Sequence, residues 1–470
     1  MHRTLSICLL GTTIATADPV DLGSRRELLI DDFLVERMEG VELKLHKPEA
    51  REVVITCDEP WEGNTSAYYT LFQDGDLYRM YYRGSHALDK SVPMKTHRAF
   101  VCYAESRDGV HWIKPKLGLF EFEGSKENNI VWDGHGVHNF APFLDTNPKC
   151  PPESRYKALA GHSDGELRKK KRVLQAYHSP DGIHWKPTRE EPVITDGAFD
   201  SQNIAYFDDV RGEYRAYWRY FTAGSTDENG WKPKGVRAIR TATSKDFLTW
   251  ENQADLAYGD MPDEHLYTNA VRAYDRAPHL FLGFPTRYQP KHQQVEPVFM
   301  TSRDGVNFKR WPEEIIPITA PKDRDGNRSN YMTRGLLQLP GNDRELSVYA
   351  TEAYYAGPGS RVRRFAYRTD GFVSVHTTKS GEMVTKPITF TGDTLRVNLH
   401  SRGSTRFELQ DETGTTIPGF TLADGAPLKC DEIETTVEWS GGSLKPLNGK
   451  SVRLRAVLED ADWYAFRFGE

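Results

Sequence analysis

The stretch SRDGVHW occupies residues 106–112. It returns as SPDGIHW at 179–185, as SKDFLTW at 244–250 and as SRDGVNF at 302–308, with a looser copy, RTDGFVS, at 368–374. The aspartates of the five phrases are Asp108, Asp181, Asp246, Asp304 and Asp370, spaced 73, 65, 58 and 66 residues apart. A phrase that recurs at such intervals marks a repeated supersecondary unit. A period of about 65 residues suits a four-stranded propeller blade with one long loop.

The residues around each phrase read as strands. The first unit runs SAYYTLFQDG, DLYRMYYRG, AFVCYAESRDG and then HWIKP. Each run is short, rich in aromatic or β-branched residues, and bounded by Gly, Asp or Asn. The order recurs four more times, so the phrase falls between the third and fourth strands of each unit. Ser and Asp can cap the backbone amides of such a turn, and Gly takes its positive φ. The following Trp or Phe can pack between neighbouring blades. On this reading the phrase is structural, not catalytic. No amphipathic helix competes with it.

The sequence therefore predicts an all-β chain: a five-bladed β-propeller over residues 55–375, followed by a C-terminal β-sandwich over 376–470. The second part is expected from TLRVNLHS, TRFELQDETG, TTVEWSGG and SVRLRAVLEDADWYAFRF, which alternate apolar and polar residues between Gly turns. Residues 18–54 form an N-terminal segment in which LLIDDFLVE, at 28–36, is expected to close the ring against the last blade.

Composition excludes several classes. The chain has 470 residues, 61 Lys and Arg against 67 Asp and Glu, and a formal charge of −6. A mildly acidic protein gives no electrostatic reason to expect nucleic acid. The basic run RKKKR at 168–172 reads as a solvated loop. Residues 1–17, MHRTLSICLLGTTIATA, have a basic start, a short apolar run and an A-x-A ending. That is the pattern of a signal peptide, and it implies a secreted or periplasmic protein. No other segment suits a membrane span. Cys57, Cys102, Cys150 and Cys430 show no C-x-x-C spacing, so no zinc site is expected. No cofactor is implied: a Ca²⁺ in the channel is compatible with the fold, but no motif asks for one. Nothing in the sequence sets the number of subunits.

In a propeller the residues before each innermost strand, and those after each second strand, meet at one mouth. Before the first come Asp58, Trp61, Glu62 and Asn64; before the second Asp133, His138 and Asn139; before the third Asp196, Asp200, Gln202 and Asn203. The fourth is preceded by Glu264, His265 and Tyr267, and the fifth by Asp323, Arg324, Asp325, Arg328 and Tyr331. Arg83, His162, Arg219, Arg287 and Glu352 follow the second strands. Any one of these acids has an ordinary reading as a solvated side chain or turn cap. Their recurrence at one blade position points to a cleft of carboxylates with aromatics among them. Such a cleft suits glycoside hydrolysis, in which one acid protonates the leaving oxygen and another activates water or attacks the sugar. Asp200 and Glu264 are the leading catalytic candidates and Glu62 the third. His138, Asn139, His265, Arg287 and Trp61 are the candidate substrate contacts.

With its five expected blades, its S-x-D-G-x-x-W turns and phrases such as YRMYYRG and FLGFPTRY, the chain resembles the five-bladed propeller glycoside hydrolases. That superfamily holds the invertase-type family 32, the arabinanase-type family 43 and the levansucrase-type family 68. The resemblance covers about residues 30–375, and the closing stretch PLNGKSVRLRAVLEDADWYAFRF resembles the C-terminal sandwich of family 32-like chains. It implies a carboxylate on the first blade as base or nucleophile, an Asp on the second and a Glu on the third as acid. The chain departs from the family pattern: DEPWEGN at 58–64 stands where family 32 has N-D-P-N-G, and FDSQN offers Asp200 in place of Glu.

The function expected is thus a secreted glycoside hydrolase acting on plant or algal glycans. Two alternatives stand beside it. One is a carbohydrate-binding propeller without catalysis, whose mouth would lack a carboxylate pair at hydrolytic spacing. The other is a propeller-type phosphorylase, which needs Arg, Lys or His gathered for phosphate. A sialidase is disfavoured by five units where that class has six.

Overall fold

The computed structural model describes residues 18–87, 95–161, 173–227, 230–317 and 330–470. The expected signal peptide, the basic run at 168–172, His162, Asp323, Arg324, Asp325 and Arg328 lie outside the described residues. The chain is all-β. It divides into two compact units: residues 44–374, and residues up to 43 together with 375–470.

The larger unit is built from five antiparallel ladders. The first is Ala67–Asp74, Leu77–His86, His97–Ser106 and Ile130–Trp132. The second is Ala141–Leu144, Tyr156–Gly161, Leu174–Ser179 and Lys186–Pro187. The third is Ile204–Asp208, Glu213–Ser225, Lys232–Ser244 and Glu251–Asp255. The fourth is Arg272–Tyr274, Ala277–Gly283, Gln294–Ser302 and Phe308–Glu314, extended by the short pair His265–Leu266 and Thr286–Gln289. The fifth is Met332–Gln338, Glu345–Glu352 and Arg361–Arg368. Second strands such as YRMYYRG are almost wholly buried, because ladders stacked face to face cover both sides of their central strands.

Two expectations are corrected here. The strand completing the fifth ladder is Glu49–Thr56, which pairs antiparallel with Arg361–Arg368. The segment at 28–36 belongs to the other unit, where Glu27–Leu28 pairs with the chain's last strand. In the first ladder, HWIKP is not the fourth strand. Ile113 makes one isolated bridge to Glu105, and the ladder's edge is Ile130–Trp132. Pro115, with no N–H to give, ends the pairing after that bridge.

The repeated phrase forms the same turn in four ladders. In the first, the Gly109 amide donates to Ser106 Oγ at 2.9 Å, while the amides of Val110 and His111 donate to Asp108 Oδ1 at 2.8 and 2.7 Å. Ser179 and Asp181, Ser244 and Asp246, and Ser302 and Asp304 repeat the pattern. The turn also joins neighbours. Tyr81 of the first ladder donates to the Gly182 carbonyl of the second at 2.9 Å. Tyr217 of the third donates to Gly305 of the fourth at 3.0 Å, and Tyr349 of the fifth to Gly109 of the first at 2.8 Å. Trp185 meets Tyr81 edge-on, and Phe308 meets Tyr217 likewise. The fifth copy departs: Asp370 is buried and bound by Tyr274 and by Arg276.

One cavity of about 530 Å³ is lined by residues from all five ladders, among them Leu71, Phe143, Tyr206, Arg272 and Arg334. First and fifth ladders also meet through a parallel pairing of Thr70 with Arg334.

The smaller unit is built on one nine-stranded sheet. Its two longest strands, Thr394–Asp411 and Val452–Gly469, pair along their whole length, with register shifts between Asn398 and Leu399 and between Ser401 and Ser404. Leu395, Val397, Phe407, Leu409, Trp463 and Phe466 form its core. Strands Val20–Gly23 and Glu27–Leu28 complete it from the N-terminal side. Among the described residues, no helix is long and apolar enough to cross a membrane.

Candidate functional site

FDSQN, residues 199–203, lies just before the innermost strand of the third ladder, and three other ladders hold it. Asn139 Nδ2 donates to Ser201 O at 2.8 Å and also to Phe199 O. Asn203 Nδ2 donates to the same two carbonyls at 2.8 and 3.1 Å. Two asparagines therefore straddle Asp200. The Tyr68 hydroxyl donates to Asp200 O at 3.1 Å, Ser201 Oγ to Tyr267 O at 2.6 Å, and Gln202 Nε2 to Tyr69 O at 2.9 Å. Asn139 is itself oriented by the Gly161 amide, which donates to its Oδ1 at 3.0 Å. A backbone bonded on every side fixes where the Asp200 side chain starts.

That side chain is ion-paired with Arg219. Arg219 is 2% exposed and the Asp200 side chain 31%, so the carboxylate is reachable from solvent and its partner is not. Burial opposes the charge on Arg219, but Asp200 first, with Tyr267 and Tyr68, outweighs it and the guanidinium is held above its ordinary value. Arg219 lies over the Tyr267 ring at 4.6 Å. Arg237 lies over Tyr288 at 4.9 Å and Phe221 at 5.1 Å. Its backbone amide donates to His265 Nδ1 at 3.1 Å. Burial first, and Arg219 second, hold Arg237 below its ordinary value. Burial, then Arg237, lowers His265.

On the other flank, Arg83 donates to Thr65 O at 2.7 Å and to the Tyr354 hydroxyl at 2.8 Å, and lies over Tyr68 at 4.9 Å. His138 is 3.2 Å from the same guanidinium and packs against Tyr68. Tyr267, Tyr331 and Tyr354 meet edge to face in a row at 5.5 Å. Burial raises Tyr354 to about 12 and Tyr68 well above the ordinary tyrosine value. At neutral pH both are uncharged hydrogen-bond donors. Tyr68 has φ of +59°, a left-handed conformation that costs a bulky residue energy and that the packing around it enforces.

The structure separates the remaining candidates. Glu264 accepts from Arg287 at 3.2 Å and also from Arg310, a buried guanidinium. Glu264, His265 and Arg287 line an open hollow of about 640 Å³ that reaches Tyr288. His265 thus stands between this hollow and the Asp200 set. Glu62 is elsewhere in its contacts: it is buried, accepting from Tyr82 at 2.5 Å and Lys114 at 2.7 Å, and burial raises its carboxyl. Trp61 donates to Asn129 Oδ1 at 2.5 Å and packs on Phe122. None of their partners belongs to the group around Asp200. Glu352 is held between Arg361 and Arg363.

Asp200, Arg219, Arg83, His138, Asn139, His265, Tyr267 and Tyr331 are therefore gathered as the strand-start rule implied. Tyr68, Arg237 and Tyr354 were not expected from the sequence. Tyr68 lies inside an innermost strand and Arg237 in a third strand, where the rule does not look. The doubled aromatic of EAYY, directly after Glu352, is the signal that could have found Tyr354. Among the described residues, no three His, Cys, Asp or Glu side chains are grouped to hold a metal ion.

No protein-family model matches the chain, and no curated protein matches it in sequence. Solved structures of propeller-fold glycoside hydrolases are similar to it at low identity. A family 43 arabinoxylan arabinofuranohydrolase from Bacillus subtilis, solved with cellotetraose, has a TM-score of 0.42 and 13% identity, covering 88% of this chain and 96% of that one. An endo-arabinase from Bacteroides thetaiotaomicron has a TM-score of 0.41 and 11% identity, covering 68% and 99%. A β-1,2-mannobiose phosphorylase from Listeria innocua, solved with β-1,2-mannobiose, has a TM-score of 0.46 and 11% identity, covering 66% and 91%.

Proposed function

We propose that the larger unit is a five-bladed propeller that cleaves glycosidic bonds in plant or algal glycans, with Asp200 as the carboxylate acting at the anomeric carbon while the leaving oxygen takes its proton from solvent water, Asp200 being the carboxylate of its group among the described residues. The pinned Asp200 turn carries this reading. A group that must attack carbon, or take a proton from the water that does, needs fixed geometry and solvent access. Asp200 has both. The tyrosine row supplies ring faces for sugar stacking and hydroxyls for sugar oxygens, as carbohydrate sites require. Five ladders sharing one cavity support the ring.

Glu264 was the expected second acid. With its oxygens accepting from two guanidiniums, its role in this account is to position Arg287 and His265 beside the mouth. The second unit is read as a sandwich formed by its one long sheet doubled over its core. Export rests on residues 1–17 and belongs to the same proposal.

The single carboxylate of the Asp200 group, among the described residues, is also what the binding-module alternative called for, so a glycan panel tests the enzyme reading against it. The wild-type chain is expected to release sugar from at least one glycan, and Asp200→Asn to bind that glycan without releasing sugar. If glycans raise the melting temperature of both proteins and neither releases sugar, the mouth only binds.

A further inference from the structure

We propose that the mouth of the larger unit holds an oxyanion between Arg219 and Arg237, and this rests on reading that mouth as the place where a sugar binds. Among the described residues the group contains three guanidiniums, those of Arg83, Arg219 and Arg237. Asp200 is the carboxylate among them, and it pairs with Arg219. The Arg83 contacts are a carbonyl, a tyrosine hydroxyl and His138. Buried positive charge without matching negative charge is unfavourable, and a fold retains it where a ligand supplies the counter-charge.

The second observation is geometric. Nε and Nη1 of Arg219 and Nε of Arg237 are buried donors with no acceptor in the structure. Each such donor costs free energy until something accepts from it. The faces of both guanidiniums lie on aromatic rings, Tyr267 and Phe221 under each and Tyr288 under Arg237. On their edges, Nη2 of Arg219 is taken by Asp200 and Nη1 of Arg237 lies 3.3 Å from His265 Nδ1, which leaves Nε and Nη1 of Arg219 and Nε of Arg237 for the oxygens of a carboxylate, sulfate or phosphate. The surrounding tyrosines are neutral and add no negative charge. His265 already accepts from the Arg237 amide. The ligand chemistry is therefore an oxyanion, borne by the sugar as a uronate or ester, or free as inorganic phosphate.

Calorimetric titration of the full chain with galacturonate, glucuronate and inorganic phosphate, beside galactose and glucose, tests this. At least one anion is expected to bind, and to bind about tenfold or more weakly in Arg237→Gln. Arg237→Lys should lose less. A uronate that binds more tightly than its neutral counterpart places the charge on the sugar; phosphate that binds alone places it on a free co-substrate. Absence of binding by all three anions, or binding unchanged in both Arg237→Gln and Arg219→Lys, overturns the proposal.

Folding supplies the control. In an anion-poor buffer Arg237→Gln is expected to melt no lower than the wild type, since burial and the neighbouring Arg219 outweigh the attraction of Asp200 for that charge. Added phosphate should raise the melting temperature of the wild type more than that of the variant. A large drop for the variant in anion-poor buffer overturns the claim. The outcome is separable from the hydrolase reading. Sugar release from neutral glycans without any anion binding sinks the oxyanion alone. Anion binding without sugar release from any glycan sinks the hydrolase alone.

Discussion

The buried guanidinium of Arg219 pairs with Oδ1 of Asp200, whose side chain is 31% exposed to solvent. The carboxylate is carried on a backbone bonded on every side. Replacing Asp200 by Asn keeps the size and removes the charge. The expected loss in kcat/KM is roughly 10²–10⁴-fold, the usual contribution of a positioned acid–base group. Far-UV circular dichroism should remain that of the wild type. An active, folded Asn variant would contradict the assignment.

Asn139 is expected to act through position. Asn139→Ala leaves the Gly161 amide without its acceptor and removes one of two donors to Phe199 O and Ser201 O. The cost should be about 1–3 kcal/mol of stability, that of a buried amide left unsatisfied. Turnover should fall more than substrate affinity, because the Asp200 turn loosens while the sugar contacts stay. Equal activity at equal stability would remove Asn139 from the account.

Glu264 makes a contrasting case. Glu264→Gln weakens its pairing with Arg310, a buried side chain, while Glu264 itself is 28% exposed. A loss of about 2 kcal/mol is expected, below that of a fully buried pair. The chevron-free readout is the urea midpoint, with kcat compared at a temperature where both proteins are folded. A loss of kcat as large as that of Asp200→Asn, at unchanged stability, would return Glu264 to the catalytic pair.

The joints between ladders should be stiff at one atom. Gly182 has φ of +78°, and an added Cβ would lie 2.6 Å from the Tyr81 hydroxyl. Gly182→Ala combines a left-handed backbone with overpacking, for a loss of about 2–4 kcal/mol. Tyr81→Phe removes only the hydrogen bond to Gly182 O, about 1 kcal/mol. Thermal unfolding that ranks the two the other way would contradict this description of the joint.

These turns also predict an acid limit. Burial alone would raise the carboxyls of Asp108 and Asp181, but bonds from His111, Val110 and Ser106, and from His184, Ile183 and Ser179, hold both well below the usual range. Asp246 and Asp304 are lowered in the same way. A carboxyl depressed in the folded state stabilises it above the unfolded value of about 4, and that contribution is lost as pH falls towards the folded value. Stability should therefore decline below about pH 4, and decline less in Asp181→Asn. A urea midpoint unchanged between about pH 5 and pH 3 would contradict it.

The turns were legible because their bonds are local. Ser106 and Asp108 cap amides within three residues, so the phrase itself states the structure. The position of Asp200 before an innermost strand was legible; its pairing with Arg219 was not. The same signal does not show that Glu62 and Glu264 are clasped by Lys114 and Arg310, which lie 52 and 46 residues further on. A sequence window does not distinguish a carboxylate facing a mouth from one clasped by a distant cation. The closing strand was misplaced for a related reason. The apolar run at 28–36 is the more strand-like stretch, but hydrophobicity does not say which sheet a strand joins. Tyr68 depends on a positive φ imposed by its neighbours, which no local pattern encodes.

Chemical rescue tests the central claim most directly. Asp200→Ala should be nearly inactive on the glycan that the wild type cleaves. Added azide should restore part of the rate, because a small anion can fill the space and the role of the missing carboxylate. Asp200→Ala that cleaves as fast as the wild type, or a wild type that cleaves no glycan at all, would contradict the claim that Asp200 acts at the anomeric carbon.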